Sequence, residues 1–250
     1  MLAHAIFMEQ KVTPYKHSSL DKKKQVEQMF DTISGNYDGL NRIISLGSDV
    51  KWRKKVIQLV SERNPESILD IATGTGDLAI KFALAAPTAK IVGLDLSEGM
   101  LAVAKKKVAG SSHYKNVEFI QGDSEALPLE TNSFDAITVS FGIRNFEDLD
   151  RGLSEIYRVL KKNGLLVILE TSVPIKTPFK QGYYFYSKRI LPLIGKLFSK
   201  DKVAYNYLSE SASVFPYGEA LNNILRKIGF IEVENKPQTF GVATIYTATK

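Results

Sequence analysis

At 250 residues, with 44% hydrophobic and 24% charged residues, the chain is long enough for one sizeable core and has the composition of an ordinary globular protein. It has no cysteine, which excludes disulfides, thiolate nucleophiles and cysteine-based zinc sites together. His4, His17 and His113 lie far apart, and the net charge of +6 comes from scattered runs such as Lys22-Lys23-Lys24 and Lys105-Lys106-Lys107, so neither a metal nor a nucleic-acid partner is expected.

Residues 1 to about 15 show no periodicity and read as a disordered or extended start, with Met8 an alternative initiator. No stretch approaches the roughly 20 apolar residues of a membrane-spanning helix and no secretory leader is read, so a cytoplasmic location is expected. A polar helix is predicted over 19–30 and a second over 49–60. The run Ile68-Leu69-Asp70-Ile71-Ala72-Thr73-Gly74-Thr75-Gly76-Asp77 then describes a buried strand (67–72), a tight glycine turn and a helix opening at Asp77. Glycine lets backbone N–H groups approach a ligand, and the new helix points its positive end at it. The next apolar run, Ile91-Val92-Gly93-Leu94, ends in Asp95, 21 residues beyond Gly74. A doubly wound sheet places a carboxylate there to bind both hydroxyls of a ribose. An adenosine-containing cofactor is therefore expected across the first two strands, cradled by Thr73, Gly74, Thr75, Gly76, Asp95 and Leu96.

The stretch Gly74-Thr75-Gly76-Asp77-Leu78-Ala79 also fits the G-x-G-x-x-G/A pattern of nicotinamide cofactors. Charge argues against that reading. Asp77 in the first helical turn would repel a pyrophosphate, and Asp70 adds to a field that favours a cation. A sulfonium with an amino-acid head meets no such repulsion, so S-adenosyl-L-methionine is preferred. The bland alternative is that Asp77 only caps its helix.

Ser97 is the predicted N-cap of a helix bearing Met100, Leu101, Ala104 and Val108. The strand Val117-Glu118-Phe119-Ile120-Gln121 leads to Gly122-Asp123-Ser124, where Asp123 and Ser124 can reach an adenine amino group. The strand Phe134-Asp135-Ala136-Ile137-Thr138-Val139-Ser140 puts Ser140 near the methionine end. Asp95, Asp123 and Ser140 thus converge on one crevice. A helix follows with Leu149, Leu153, Ile156, Tyr157 and Leu160, its end expected at Lys161 and Lys162. Alternation of strand and helix over 67–172 describes a mainly parallel sheet covered on both faces. After a segment over 174–216, a final helix (218–228) and two β-branched runs (230–234 and 242–249) predict an antiparallel hairpin closing the sheet.

Three phrases carry a resemblance. Tyr37-Asp38-Gly39-Leu40-Asn41, extending through Ser45 to Trp52, is one; Arg158-Val159-Leu160-Lys161-Lys162-Asn163-Gly164, extending to Glu170-Thr171-Ser172, is another; Ser140-Phe141-Gly142-Ile143-Arg144-Asn145 is the third. From about Tyr37 to its C-terminus the chain resembles the ubiquinone/menaquinone biosynthesis C-methyltransferases, within the class I methyltransferases. It departs at Leu40, where methionine is usual, and at Lys161-Lys162-Asn163-Gly164, where the family usually has Lys-Pro-Gly-Gly. The first exchange conserves volume, and Asn163 can take the left-handed conformation of a helix stop.

The resemblance implies a single α/β domain over 1–250: a Rossmann-like, mainly parallel seven-stranded sheet with an antiparallel C-terminal hairpin, helices on both faces, an N-terminal arm (1–36) and a helical lid insert (174–216). It implies S-adenosyl-L-methionine as cofactor and C-methylation of a prenylated hydroquinone, first of all demethylmenaquinol, with the ubiquinone-pathway benzoquinol open. Arg144, just past Ser140, stands where it can stabilise a phenolate, and the resemblance implies a part in proton removal; a surface ion pair is its bland alternative. Asn145 is expected to orient that oxygen. Tyr37 and Asp38 are expected to border the pocket, with Asp38 the runner-up base, and Phe141 and Tyr183 to contact the substrate. The insert interleaves Phe179, Tyr183, Tyr184, Phe185, Tyr186, Ile190, Leu191, Leu193, Ile194, Leu197 and Phe198 with Lys180, Lys188, Arg189, Lys196 and Lys200, and Pro192 would bend it. Such a segment suits a lid for an isoprenoid tail, a face lying on the inner side of an anionic membrane, or a helix packed on its own core. A homodimer is left open. The competing readings are methylation of another small molecule, a nicotinamide-dependent oxidoreductase and a non-catalytic lipid-binding protein.

Overall fold

The computed structural model describes residues 12–190 and 202–250. Residues 1–11 and 191–201, with the expectations for His4, Met8, Leu191, Pro192, Leu193, Ile194, Lys196, Leu197, Phe198 and Lys200, lie outside the described residues.

In chain order the elements are α1 (Lys22–Ile33), α2 (Tyr37–Ile44), α3 (Ser48–Ser61), β1 (Ser67–Ile71), α4 (Asp77–Ala85), β2 (Lys90–Asp95), α5 (Glu98–Val108), β3 (Val117–Gln121), β4 (Phe134–Ser140), α6 (Leu149–Val159), β5 (Leu160–Thr171), α7 (Phe179–Phe185), α8 (Lys202–Val214), α9 (Glu219–Ile228), β6 (Ile231–Gln238) and β7 (Ala243–Thr249). The seven strands form one sheet in the order β3-β2-β1-β4-β5-β7-β6. The first five are mutually parallel, and β7 runs antiparallel to both β5 and β6. Strands covered on both faces read as continuous apolar runs, which is why Ile68, Leu69 and Ile71 of β1 and Leu166 to Leu169 of β5 are all buried.

Each face has its own core. On one, Trp52, Val56 and Val60 of α3 and Leu78, Ala79 and Phe82 of α4 pack on the sheet. On the other, Leu153 and Ile156 of α6 meet Leu221 and Leu225 of α9. A third cluster joins Val26, Met29 and Ile33 of α1 to Met100 of α5 and to Ala204 and Tyr207 of α8. The chain order reverses between β1 and β4, which opens a crevice at their carboxyl ends.

The C-terminal hairpin closes the sheet as expected, with β7, the more buried strand, beside β5 and the more exposed β6 at the edge. Three local expectations need correction. Lys161 and Lys162 do not end a helix. Helix α6 stops at Val159, Leu160 is already extended, and Lys161 pairs with Asp135 at 2.8 Å. Asn163 is left-handed (φ 63°), but it serves a bulge in β5, where the register to β4 shifts between Phe134 and Ala136. Helix α1 begins later than expected because Asp21 caps it, accepting from Lys24 N at 2.8 Å. Ser97 caps α5 as expected, accepting from Met100 N at 3.1 Å. Within the described parts of the 174–216 segment, α7 runs on into a π turn at Tyr186–Ile190, and α8 occupies Lys202–Val214.

Candidate active site

After β1 the backbone takes left-handed conformations at Ala72, Gly74 and Gly76 (φ 52°, 59° and 78°) before entering α4. A Cβ on Gly76 would lie 2.7 Å from Phe119 Cζ and 2.9 Å from Ala104 Cβ, so the turn needs glycine for space as well as for φ. Buried Asp70 clamps the turn to the sheet. Thr73 Oγ1 donates to one of its oxygens at 2.6 Å and Thr138 Oγ1 to the other at 2.7 Å, while burial pushes its carboxyl up to about 6. Asp70 thus has a structural part that the sequence reading did not assign, holding the turn to the sheet through both of its oxygens.

The predicted role of Asp77 also changes. Lys107 Nζ donates to its Oδ1 at 2.7 Å and Arg53 Nη1 to its Oδ2 at 3.1 Å. Burial would raise this carboxyl, but the two cations hold it below its ordinary range. A charge so neutralised would not repel a pyrophosphate. What disfavours phosphates is the wall of the adjoining cavity. Among its described lining residues Lys23 is the sole cation, against Glu27, Asp95, Asp123 and Glu125, and it is already held by Asp123 at 2.6 Å and Glu125 at 3.5 Å.

That cavity lies at the carboxyl ends of β1, β2, β3 and β4. Gly74, Asp95, Leu96, Asp123, Ser124 and Ser140 line it. Thr73, Thr75 and Gly76 do not; they shape the turn from behind. Asp95 accepts from Gly74 N at 2.7 Å and from Ser97 N at 2.9 Å, one bond per oxygen, leaving capacity for ribose hydroxyls. Its burial pushes the carboxyl up to about 6. Ser140 Oγ is buried without a partner. Leu94, Met100 and Phe146 supply apolar walls, and Val26 and Phe30 of α1 form a roof. Sequence reasoning missed this roof, although Val26, Met29, Phe30 and Ile33 have the spacing of an apolar helix stripe. The donors, the orphan hydroxyl and the short supply of cations fit S-adenosylmethionine.

A second cavity meets the first at Tyr37 and Phe141 and is further lined by Asn41, Trp52, Arg144, Thr171, Tyr183, Tyr186 and Leu208. Phe141 holds a left-handed φ of 59°, a strained conformation for a bulky residue, at this junction. Arg144 is buried and pinned: its Nη1 donates to the Phe141 carbonyl at 2.7 Å and to Glu170 Oε1 at 2.6 Å. It is an ion-pair partner, then, but in the wall of a cavity instead of on the surface. Asn145 faces the first cavity and accepts from Tyr207 Oη at 3.1 Å. Asp38 lines neither cavity, which corrects its expected place at the pocket and removes the ground for treating it as a base. Thr75 Oγ1 and Lys107 Nζ hold its two oxygens behind the glycine turn. Glu170 is the residue that sequence reasoning left without a role; its signal is a lone acid closing the apolar run 165–169. No group of metal-ligating side chains occurs among the described residues.

A sheet reversed between β1 and β4, acidic strand ends and an adenosine crevice poor in cations define a class I S-adenosylmethionine-dependent methyltransferase. The chain belongs to the ubiE/COQ5 methyltransferase family, whose model matches residues 18–250. The demethylmenaquinone methyltransferase of Bacteroides fragilis is 47% identical, the match covering 98% of this chain and 99% of that protein. The ubiquinone/menaquinone biosynthesis C-methyltransferase UbiE of Geobacter sulfurreducens is 42% identical over 97% of this chain and 94% of its own length. In fold, the chain is similar to a Thermotoga maritima S-adenosylmethionine-dependent methyltransferase described as a possible histamine N-methyltransferase, with a TM-score of 0.62 at 22% identity, covering 89% of this chain and 99% of that one.

Proposed function

We propose that this enzyme methylates a ring carbon of a prenylated hydroquinone, converting demethylmenaquinol to menaquinol. The observation that carries the reading is the buried Arg144 in the wall of an aromatic-lined cavity that opens onto the adenosine crevice. Bound S-adenosylmethionine supplies an electrophilic methyl group. Asp95, Asp123 and Ser124 would hold its adenosine and Ser140 its methionine end. Tyr37, Phe141 and Tyr183 flank the second cavity and orient the ring while keeping water out. A phenol loses its proton near pH ~10, and a fixed guanidinium beside the oxygen lowers that threshold. The resulting phenolate pushes electron density onto the neighbouring carbon, so Arg144 raises the reactivity of the carbon by stabilising charge on the oxygen.

The tail would leave through the rim of the second cavity, where Ile43, Leu46, Val50, Phe179 and Phe240 are exposed. These residues belong to one surface: Phe179 stacks on Phe240 with ring centroids 4.0 Å apart, Trp52 Nε1 donates to Thr239 Oγ1, and Tyr186 Oη donates to the Ile44 carbonyl. Exposed Arg42, Lys51 and Lys180 adjoin them in sequence. An apolar rim with cations beside it suits peripheral contact with an anionic bilayer, and no helix among the described residues is long and apolar enough to cross one. The test is mass spectrometry of demethylmenaquinol, and in parallel of the demethylated benzoquinol, after incubation with the protein and isotopically labelled S-adenosylmethionine. Label on a ring carbon of the naphthoquinol is expected; label on oxygen, or none, would refute the proposal.

A further inference from the structure

Arginine stays protonated to pH ~12 and above, so Arg144 can hold a phenolate but cannot take the proton whose loss creates one. A base is attached to it. Glu170, 1% exposed at the end of β5, accepts through Oε1 from Arg144 Nη1 at 2.6 Å, from Thr171 N at 2.7 Å and from Thr171 Oγ1 at 3.0 Å. Its other oxygen, Oε2, is buried with no hydrogen-bond partner. A buried acceptor left unsatisfied is costly and rare in folded proteins. Glu170 does not line the second cavity, but Thr171 and Arg144 both do. Thr171 therefore touches both the cavity, as a lining residue, and the carboxylate, through its hydroxyl.

Resting on the quinol reading of this cavity, we propose that Thr171 relays the quinol proton to Glu170. The quinol O–H bond breaks and its proton bonds to Thr171 Oγ, while the hydroxyl hydrogen of Thr171 passes to the Glu170 carboxylate. The electron pair of the broken bond stays on the ring oxygen, and this phenolate replaces Glu170 as the counter-ion of Arg144. One anion stands beside one guanidinium before and after this proton shift, so the shift itself buries no uncompensated charge. Once the ring carbon carries its methyl group, the hydrogen on that carbon leaves to water as the one proton the reaction releases. Glu170 then returns its proton through Thr171 to the ring oxygen. Thr171 is the group that touches substrate; Glu170 acts through it and positions Arg144.

The experiment measures turnover from pH 6 to pH 10 for wild type, Thr171→Val, Thr171→Ser and Glu170→Gln. It uses saturating S-adenosylmethionine and two short-tailed demethylnaphthoquinols, one plain and one acidified by an electron-withdrawing ring substituent. S-adenosylhomocysteine affinity and melting temperature are measured alongside. Thr171→Val is expected to lower kcat by about 100-fold at pH 7, the usual scale of lost acid–base assistance, with KM and cofactor affinity unchanged. The deficit should shrink as pH rises and shrink again on the acidified quinol, and Thr171→Ser should recover most of the rate. Glu170→Gln should follow Thr171→Val, but it strips Arg144 of its counter-ion and can unfold the chain; Thr171→Val keeps the pair and decides the question alone. Wild-type turnover in Thr171→Val, or a loss equal at every pH and on both quinols, would overturn the relay. A wild type that methylates neither quinol would overturn the reading of the cavity, and the relay with it.

Discussion

Lys23 Nζ lies 2.6 Å from Asp123 Oδ2, tying the first helix to the tip of the third strand across the adenosine cavity. Nearby, Ser97 Oγ and Gly99 N donate to Asp31, and Lys22 Nζ donates to the Phe146 carbonyl at 2.7 Å. Helix α1 is thus a roof strapped down by polar contacts along its rim, with Val26 and Phe30 beneath. A ligand passing beneath this roof would have to release some of these straps.

Replacing Lys23 with methionine should therefore speed dissociation of S-adenosylhomocysteine by several-fold while barely changing stability. A part-exposed ion pair contributes at most about 1 kcal/mol, which for a chain of this length moves the melting temperature by no more than about 4 °C. Stopped-flow dissociation and a thermal melt measure the two effects. An unchanged off-rate would mean that the roof does not gate the site.

Asp95 gives the cofactor site a pH dependence. Burial raises its carboxyl from 3.8 to about 6 in the ligand-free protein. The native state then holds its proton up to a higher pH than the unfolded chain does, so this group's contribution to ligand-free stability falls as pH rises from 3.8 to about 6. Binding runs the other way, because ribose hydroxyls donate to the ionised form. Affinity for S-adenosylhomocysteine should be flat above pH ~7 and should fall by up to about tenfold per unit below pH ~6, with a proton released on binding there. Calorimetry in buffers of different ionisation enthalpy detects that proton. Asp95→Asn should bind more weakly and lose the pH dependence; the same slope in the variant would assign the titration elsewhere.

Asp38 should prove dispensable for the chemistry. Its carboxylate is occupied by Thr75 and Lys107, and the Lys107 pair is about one-third exposed on both sides. Asp38→Asn should cost no more than about 1 kcal/mol of stability and leave the pH–rate profile where it was. A basic limb lost from that profile would restore Asp38 as a base.

These outcomes mark where the sequence stops being informative. Buried parallel strands announce themselves as apolar runs, so β1, β2 and β4 could be read directly, edge strand β3 was legible as a short strand before Gly122-Asp123-Ser124, and Asp95, Asp123 and Ser140 do meet at one crevice. Which side of a turn a residue faces has no such signal. Thr73 and Thr75 alternate with the glycines yet point away from the cavity, and Asp38 stands next to Tyr37 in sequence but behind the turn in space. The left-handed state of Asn163 was legible; its use in a strand bulge was not, since that depends on the register between β4 and β5. The pairing of Arg144 with Glu170 bridges two strand ends 26 residues apart, a tertiary fact that local pattern cannot carry.

Leu46 and Phe240 are 78% and 69% exposed, and both have left-handed backbones, with φ of 50° and 59°. Such conformations cost bulky residues about 1–3 kcal/mol, and here the side chain so displayed is apolar and unburied. Both features acquire a use if these residues enter a bilayer, where each fully buried side chain gains roughly 1.5–3 kcal/mol. Leu46→Glu combined with Phe240→Glu removes that gain and adds two charges that anionic lipid repels. Sedimentation with vesicles containing anionic lipid should then show binding weaker by about 100-fold or more, the equivalent of about 3 kcal/mol. Turnover of a long-tailed quinol presented in those vesicles should fall with it, whereas turnover of a tail-less quinol in solution, which never meets the bilayer, should stay near the wild-type rate. If the tail-less substrate suffers equally, the rim shapes the cavity and does not face a membrane. If vesicle binding survives the double substitution, another surface of the protein carries it.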